Sequence, residues 1–180
     1  MSQNVLIFSG SPRKHGNSDL LCDQFMTGAR DAGHQVEKIF LRDKKINYCL
    51  ACDGCKKNGG TCVQRDDMAE ILEKIVAADI IVMATPVYFY TMDAQMKTLI
   101  DRTYAKYSEI CNKDMYFIVT AADTRKESLE RTIEGFRGFT SCFNGMNEKG
   151  IIYGTGAWNI GDIKGSKAMD QAYEMGKSLA

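Results

Sequence analysis

The chain has 180 residues, 44% of them hydrophobic, and its 23 basic and 23 acidic side chains give a formal net charge of zero. That length suits one domain with a substantial core, residues 1–180. The even charge argues against nucleic acid or a membrane surface as main partner, and against an acidic shuttle that docks on basic proteins. No apolar run approaches the ~20 residues that span a bilayer. The start, Met1-Ser-Gln-Asn, lacks the basic residue and the apolar run of a secretory signal, so a cytoplasmic location is expected. In that setting the seven cysteines read as thiols or metal ligands, not as a disulfide frame.

The first strand is expected over residues 5–9, an unbroken apolar run fit for burial on both faces of a parallel sheet. The loop that follows, Gly10-Ser-Pro-Arg-Lys-His-Gly-Asn-Ser18, is rich in hydroxyls and leads into a helix with Asn17 as its expected N-cap. Leu21, Phe25 and Ala29 make one apolar face of that helix, Cys22 reads as core filler, and Gly33 as the residue that ends it. Free N–H groups and the positive end of a helix dipole meet at such a turn, which suits a phosphate. Ser9, Ser11, Asn17 and Ser18 add side-chain donors, and Arg13 adds a charged fork. The loop lacks the Lys-Ser/Thr ending of a P-loop and the G-x-G-x-x-G of a dinucleotide site, so a compact terminal phosphate such as that of FMN fits better. An ordinary βα turn is the plainer alternative.

A second strand over residues 35–41 alternates charged and apolar residues and reads as an edge. A polar, cysteine-rich insertion covers about residues 42–66. Asp67-Met-Ala-Glu70 reads as a capping box opening a helix to about residue 78, which leaves Asp66 and Asp67 without a catalytic role. A third apolar strand, residues 79–85, ends in Thr85-Pro-Val-Tyr-Phe-Tyr-Thr91, whose aromatics could lie against a flat ring. A helix over residues 93–106 follows, its Met92, Met96, Leu99 and Ile100 reading as packing or a subunit contact. Then come a strand over residues 115–121, a helix over 126–143, a strand over 150–153, a loop holding the single tryptophan, Trp158, and a last helix over 166–179.

Five successive βα units predict an α/β, flavodoxin-like three-layer sandwich with a five-stranded parallel sheet in the order 2-1-3-4-5. In that topology a ligand sits at the switch between strands one and three. The hydroxyl-rich loop and the aromatic loop follow those two strands, so two separate sequence features meet at one place.

Gly10-Ser-Pro-Arg13 with Gly16-Asn-Ser18, Thr85-Pro-Val-Tyr88 and Ala94-Gln-Met-Lys-Thr-Leu-Ile-Asp-Arg102 together resemble the NADPH-dependent FMN reductase family, and within it the iron–sulfur flavoproteins. The resemblance implies non-covalent FMN, reduction by NADH or NADPH, and a homodimer or homotetramer with FMN near a subunit interface. It implies phosphate contacts from Ser9, Ser11, Arg13, Asn17 and Ser18, and ring contacts from Pro86, Val87, Tyr88 and Phe89. It also places the Thr120, Ala121 and Asp123 loop near the other side of the ring, and Trp158 over a substrate channel. The chemistry would be the cofactor's, so no catalytic acid or base is assigned, and His15 and His34 are given no role. Electrons would pass to a small-molecule acceptor such as a quinone, an azo or nitro compound or a free flavin.

Cys49, Cys52 and Cys55 have the spacing with which ferredoxin loops wrap a [4Fe–4S] cube, and Cys62 follows closely enough to close it. Zinc and free, redox-active thiols are the alternatives. A cluster would favour an electron carrier fed by a ferredoxin over a plain reductase; a thiol or metal sensor on the same scaffold would leave the aromatic loop without a use. Cys111 and Cys142 are assigned no role.

Overall fold

A computed structural model of the chain describes residues 1–179. Its strands are β1 (Asn4–Ser9), β2 (Gln35–Phe40), β3 (Ile80–Tyr88), β4 (Thr91–Met92), β5 (Lys113–Thr120) and β6 (Met146–Gly154). Its helices are α1 (Asn17–Asp31), α2 (Gly54–Lys57), α3 (Met68–Ala77), α4 (Ala94–Arg102), α5 (Glu127–Thr140) and α6 (Lys167–Lys177). The sheet runs β2-β1-β3-β5-β6, all parallel, with β2 on an edge as its alternating pattern predicts. This is the expected order with one addition. The two-residue β4 folds back antiparallel on β3 as a hairpin that the sequence does not announce.

The pleat of β1 divides the core. Val5 and Ile7 join Leu21, Phe25, Ala29, Val82, Ile118 and Ala172 beneath α1 and α6. Leu6 and Phe8 face the other way, with Met83, Phe117, Ile71, Leu99 and Phe136 beneath α3, α4 and α5. Burial on both sides is why these strands read as continuous apolar runs. Cys22 is fully buried in the first layer, and burial pushes its thiol far above the usual range, so it is inert filler as expected. Gly33 ends α1 at φ +90°, donating to Arg30 O. No helix among the described residues is long and apolar enough to cross a membrane.

Two helix starts differ from expectation. The cap position of α1 is Gly16, not Asn17, whose amide is engaged elsewhere. Asp67 caps nothing with its side chain: its Oδ2 accepts from Lys45 N, Glu70 pairs with Lys74, and Asp66 Oδ1 takes the Met68 N–H instead. Other elements differ mainly at their bounds: β6 begins at Met146, α4 stops at Arg102 with a 3-10 turn to Lys106, and α5 spans Glu127–Thr140.

Candidate functional site

The loop between β1 and α1 is built by close backbone approach. Gly10 N donates to Ala84 O of β3 at 2.8 Å. A Cβ on Gly10 would sit 2.9 Å from both carboxyl oxygens of Asp93, so only glycine lets the loop lie this low. Ser11 Oγ accepts from Arg13 N and donates to Arg13 O, closing a tight turn. A Cβ on Gly16 would fall 2.6 Å from that hydroxyl.

The turn opens into α1. The first intrahelical bond runs from Leu20 N to Gly16 O, so the N–H groups of Asn17, Ser18 and Asp19 have no partner within the helix. Beside them the Ser18 hydroxyl is buried, 1% exposed, and has no hydrogen-bond partner. A buried polar group without a partner costs about 1–3 kcal/mol. Here it stands among donors that all lack an acceptor, at the positive end of a helix dipole, which is the arrangement an anion completes.

The cleft above this cradle has a volume of about 140 Å³ and lies at the carboxyl ends of β1, β3 and β5. Ser11, Arg13, Gly16, Asn17 and Ser18 form one wall, Pro86, Val87 and Tyr88 another, and Thr120, Ala121, Ala122, Ala157 and Trp158 the rest. A wider groove of about 410 Å³ runs along the opposite ends of β1 and β2. In open α/β sheets, ligands bind at the carboxyl ends, beside the strand where the chain's order reverses. The smaller cleft is therefore the functional candidate.

Three expected contacts fall outside it. Ser9 donates its hydroxyl to Asp19 Oδ1 at 3.0 Å, and Asp19 also takes the His15 N–H and the Lys38 ammonium. Phe89 is fully exposed at the tip of the β3–β4 hairpin. Asp123 turns to Arg125 and to the Ser128 hydroxyl, and the Arg125 guanidinium holds its carboxyl well below the usual range. Asn17 lines the cleft but its side chain serves as a tie: Nδ2 donates to Asn159 O, and Oδ1 accepts from Gly161 N and Ile163 N. It thereby holds the loop after β6 over the cleft, where Trp158 is 70% exposed. Arg13 Nη1 donates to Trp158 O at 3.1 Å, and no carboxylate pairs with Arg13 among the described residues. Ala122 lies within the loop expected near the ring, whereas sequence reasoning missed Ala157, a small side chain with no signal of its own. Ala157 N donates to Ala121 O, so the loops after β5 and β6 close the cleft together.

The hairpin is conformationally costly. Phe89 and Tyr90 have φ +49° and +63°, a type I′ arrangement usually made by Asn-Gly. Arg131 lies over the Tyr90 ring at 5.6 Å. Below the hairpin Asp93 N donates to Thr85 Oγ1, and Asp93 Oδ1 caps α4 by accepting from Met96 N. Asp93 Oδ2 has no partner, and burial pushes this carboxyl up to about 7.

The cysteine loop stands apart from this cleft. Cys49 and Cys52 are exposed, Cys55 and Cys62 half-buried, and none is in a disulfide. Ala51 and Asp53 take left-handed conformations that turn the loop sharply. Cys49 Sγ accepts from Ala51 N at 3.5 Å and Cys62 Sγ from Arg102 Nη2 at 3.6 Å. A single tetrahedral zinc would hold its sulfurs about 3.8 Å apart. Among the described residues the one group of three ligand side chains within 4.8 Å of each other is His15, Asp19 and Asp23. Lys38 already pairs with both carboxylates of that group.

Residues 3–139 match the model of the NADPH-dependent FMN reductase family. An iron–sulfur flavoprotein of Methanocaldococcus jannaschii is 34% identical over 98% of this chain and 95% of its own length. An iron–sulfur flavoprotein of Archaeoglobus fulgidus is 45% identical over 52% of this chain, but that match spans only 42% of the relative. Among solved structures, an NAD(P)H:quinone oxidoreductase from Methanothermobacter marburgensis superposes over all of both chains with a TM-score of 0.73 at 20% identity, a likeness of flavodoxin-like fold.

Proposed function

Because the chain belongs to the NADPH-dependent FMN reductase family, we propose that it binds FMN non-covalently in this cleft and passes electrons from NADH or NADPH to a small acceptor such as a quinone or a flavin. The observation that carries this is the buried, partnerless Ser18 hydroxyl among the free N–H groups of the first turn of α1. When bound, FMN would supply the acceptance of a hydride and the delivery of one or two electrons. The protein's part is binding and orientation. Ser18, the N–H groups of residues 17–19 and the turn of Ser11 would hold the phosphate. Arg13 would exchange the Trp158 carbonyl for a phosphate oxygen, a stronger, charge-assisted bond. Pro86, Val87 and Tyr88 on one side and Thr120, Ala121 and Ala122 on the other would flank the ring. Ser9, Phe89 and Asp123 leave the set of direct contacts. Trp158 would limit access to the exposed side.

Ser18→Ala is expected to leave the cofactor-free chain at least as stable as wild type, because the buried hydroxyl makes no bond there and its desolvation is a net cost, and to weaken FMN binding roughly 10–100-fold. That is the ~1.5–3 kcal/mol of a hydrogen bond to a charged group. Fluorescence titration with FMN measures it. Adding NADH or NADPH without oxygen should bleach the bound flavin; a flavin bleached by neither would overturn the reductase reading.

The four cysteines favour a second property: a [4Fe–4S] cluster held by Cys49, Cys52, Cys55 and Cys62, so that single electrons could also be exchanged with a ferredoxin. Its support is the cysteine spacing and the two N–H···S contacts already present, the kind of bond that tunes cluster sulfurs. Protein purified without oxygen should then carry about four irons per chain, matching four sulfide-bridged sites. The exposed hairpin tip and Tyr48, 73% exposed, fit a homodimer or homotetramer.

A further inference from the structure

The neck of the cysteine loop converges on one buried side chain. Arg102, the last residue of α4, is 3% exposed, and its ion-pair partner Asp66 has a fully buried side chain. Arg102 Nη1 donates to Asn47 O and to Asp66 Oδ2, both at 2.7 Å, and Nη2 donates to Asp66 Oδ1 at 3.0 Å. Asp66 also accepts from Asn47 N at 3.0 Å and from Met68 N at 3.2 Å. The two ends of residues 48–65 are thus tied to each other and to α4 through a single guanidinium. The second N–H of Nη2 reaches Cys62 Sγ at 3.6 Å. Further ties of this loop to the body, Tyr104 OH to Asp53 Oδ1 and the Lys56 ammonium over the Tyr104 ring, lie on the exposed surface.

We propose that Arg102 is a positioning residue for the cysteine loop, holding its neck closed and presenting an N–H to the Cys62 sulfur; the part concerning the sulfur rests on the reading that the cysteines hold a cluster. A buried ion pair is poor value as plain stabilisation, because desolvation offsets much of the attraction. It is well suited to fixing a geometry, since the planar fork binds a carboxylate through two nitrogens and still has donors left. Lysine has a point charge and no fork, so Arg102→Lys separates the two roles: charge pairing with Asp66 survives and the sulfur contact does not. Hydrogen bonds to cluster sulfurs raise the reduction potential, so losing one lowers it.

The experiment compares wild type, Arg102→Lys and the double variant Arg102→Gln with Asp66→Asn. The double variant avoids a buried, unpaired carboxylate and so guards against simple misfolding. Each is read metal-free by trypsin cleavage at Lys56 and Lys57, and again after anaerobic loading with ferrous iron and sulfide by iron content and a redox titration followed by electron paramagnetic resonance. All three should retain FMN binding. Arg102→Lys should load iron as wild type does but reduce at a more negative potential. The double variant should be cut in the loop at least tenfold faster than wild type. If wild type loads no iron, the cluster reading fails, and the cleavage rates alone decide the role of Arg102. If iron loads but the Arg102→Lys potential is unchanged and both variants are cut within twofold of wild type, the proposal is overturned while the cluster reading stands.

Discussion

Gly176→Ala is expected to destabilise the protein by about 3 kcal/mol, in the upper range for overpacking a tight contact. A Cβ at Gly176 of α6 would lie 2.1 Å from Phe25 O, and one at Gly28 of α1 would lie 2.0 Å from Tyr173 O. In both cases the obstacle is backbone, which cannot rotate aside. The two helices would have to separate, opening the layer of Val5, Ile7, Phe25 and Ala172. Separation would also strain Asn17 and Ser18 at the start of α1, so flavin affinity should fall with stability. Gly138→Ala in α5 gives the opposite sign: nothing lies within 4 Å of the added Cβ, and the helix gains roughly 0.5–1 kcal/mol in propensity. Urea unfolding of the two variants should move the midpoint in opposite directions. Equal, small shifts would mean that α1 and α6 do not meet backbone to backbone.

Asp93→Asn is expected to change the pH dependence of stability. Asp93 is 1% exposed beneath Gly10, and burial raises its carboxyl from an ordinary 3.8 to about 7. Between those values the folded chain keeps a proton that the unfolded chain has released. Wild-type stability therefore falls as pH rises through that window, by up to ~1.4 kcal/mol per unit and ~4 kcal/mol in all, and levels off above about 7. Asparagine keeps the oxygen that caps Met96 N and carries no charge at any of these pH values. The stability of the variant relative to wild type should rise from pH 4 to pH 7 and then stay level. Parallel curves would show that Asp93 does not titrate in this range.

The sheet was legible in the sequence because burial on both faces leaves a plain mark, a run such as Val5 to Phe8 or Ile80 to Ala84 with no polar break. The convergence of the loops after β1 and β3 followed from that order alone. What escaped detection depends on partners distant in the chain. Asn17 has the chemistry of a cap, yet its amide is engaged by Asn159, Gly161 and Ile163, which nothing local announces. Spacing favours Asp67, three residues before Glu70, as the cap; Asp66 takes the Met68 N–H instead, held in place by Arg102 from 36 positions away. The β3–β4 hairpin has Phe89 and Tyr90 where a type I′ turn normally shows Gly or Asn, so its usual signal is absent. Gly28 and Gly176 have no signal of their own in the sequence, and only packing reveals why a larger residue would not fit.

The most direct measurement is an anaerobic fluorescence titration of the cofactor-free protein with FMN and, separately, with riboflavin, which has the same ring without the phosphate. A phosphate cradle at the start of α1 requires FMN to bind at least ten times more tightly than riboflavin, and Ser18→Ala to narrow that ratio. Equal affinities, or no binding of either, would contradict the assignment of this cleft to FMN.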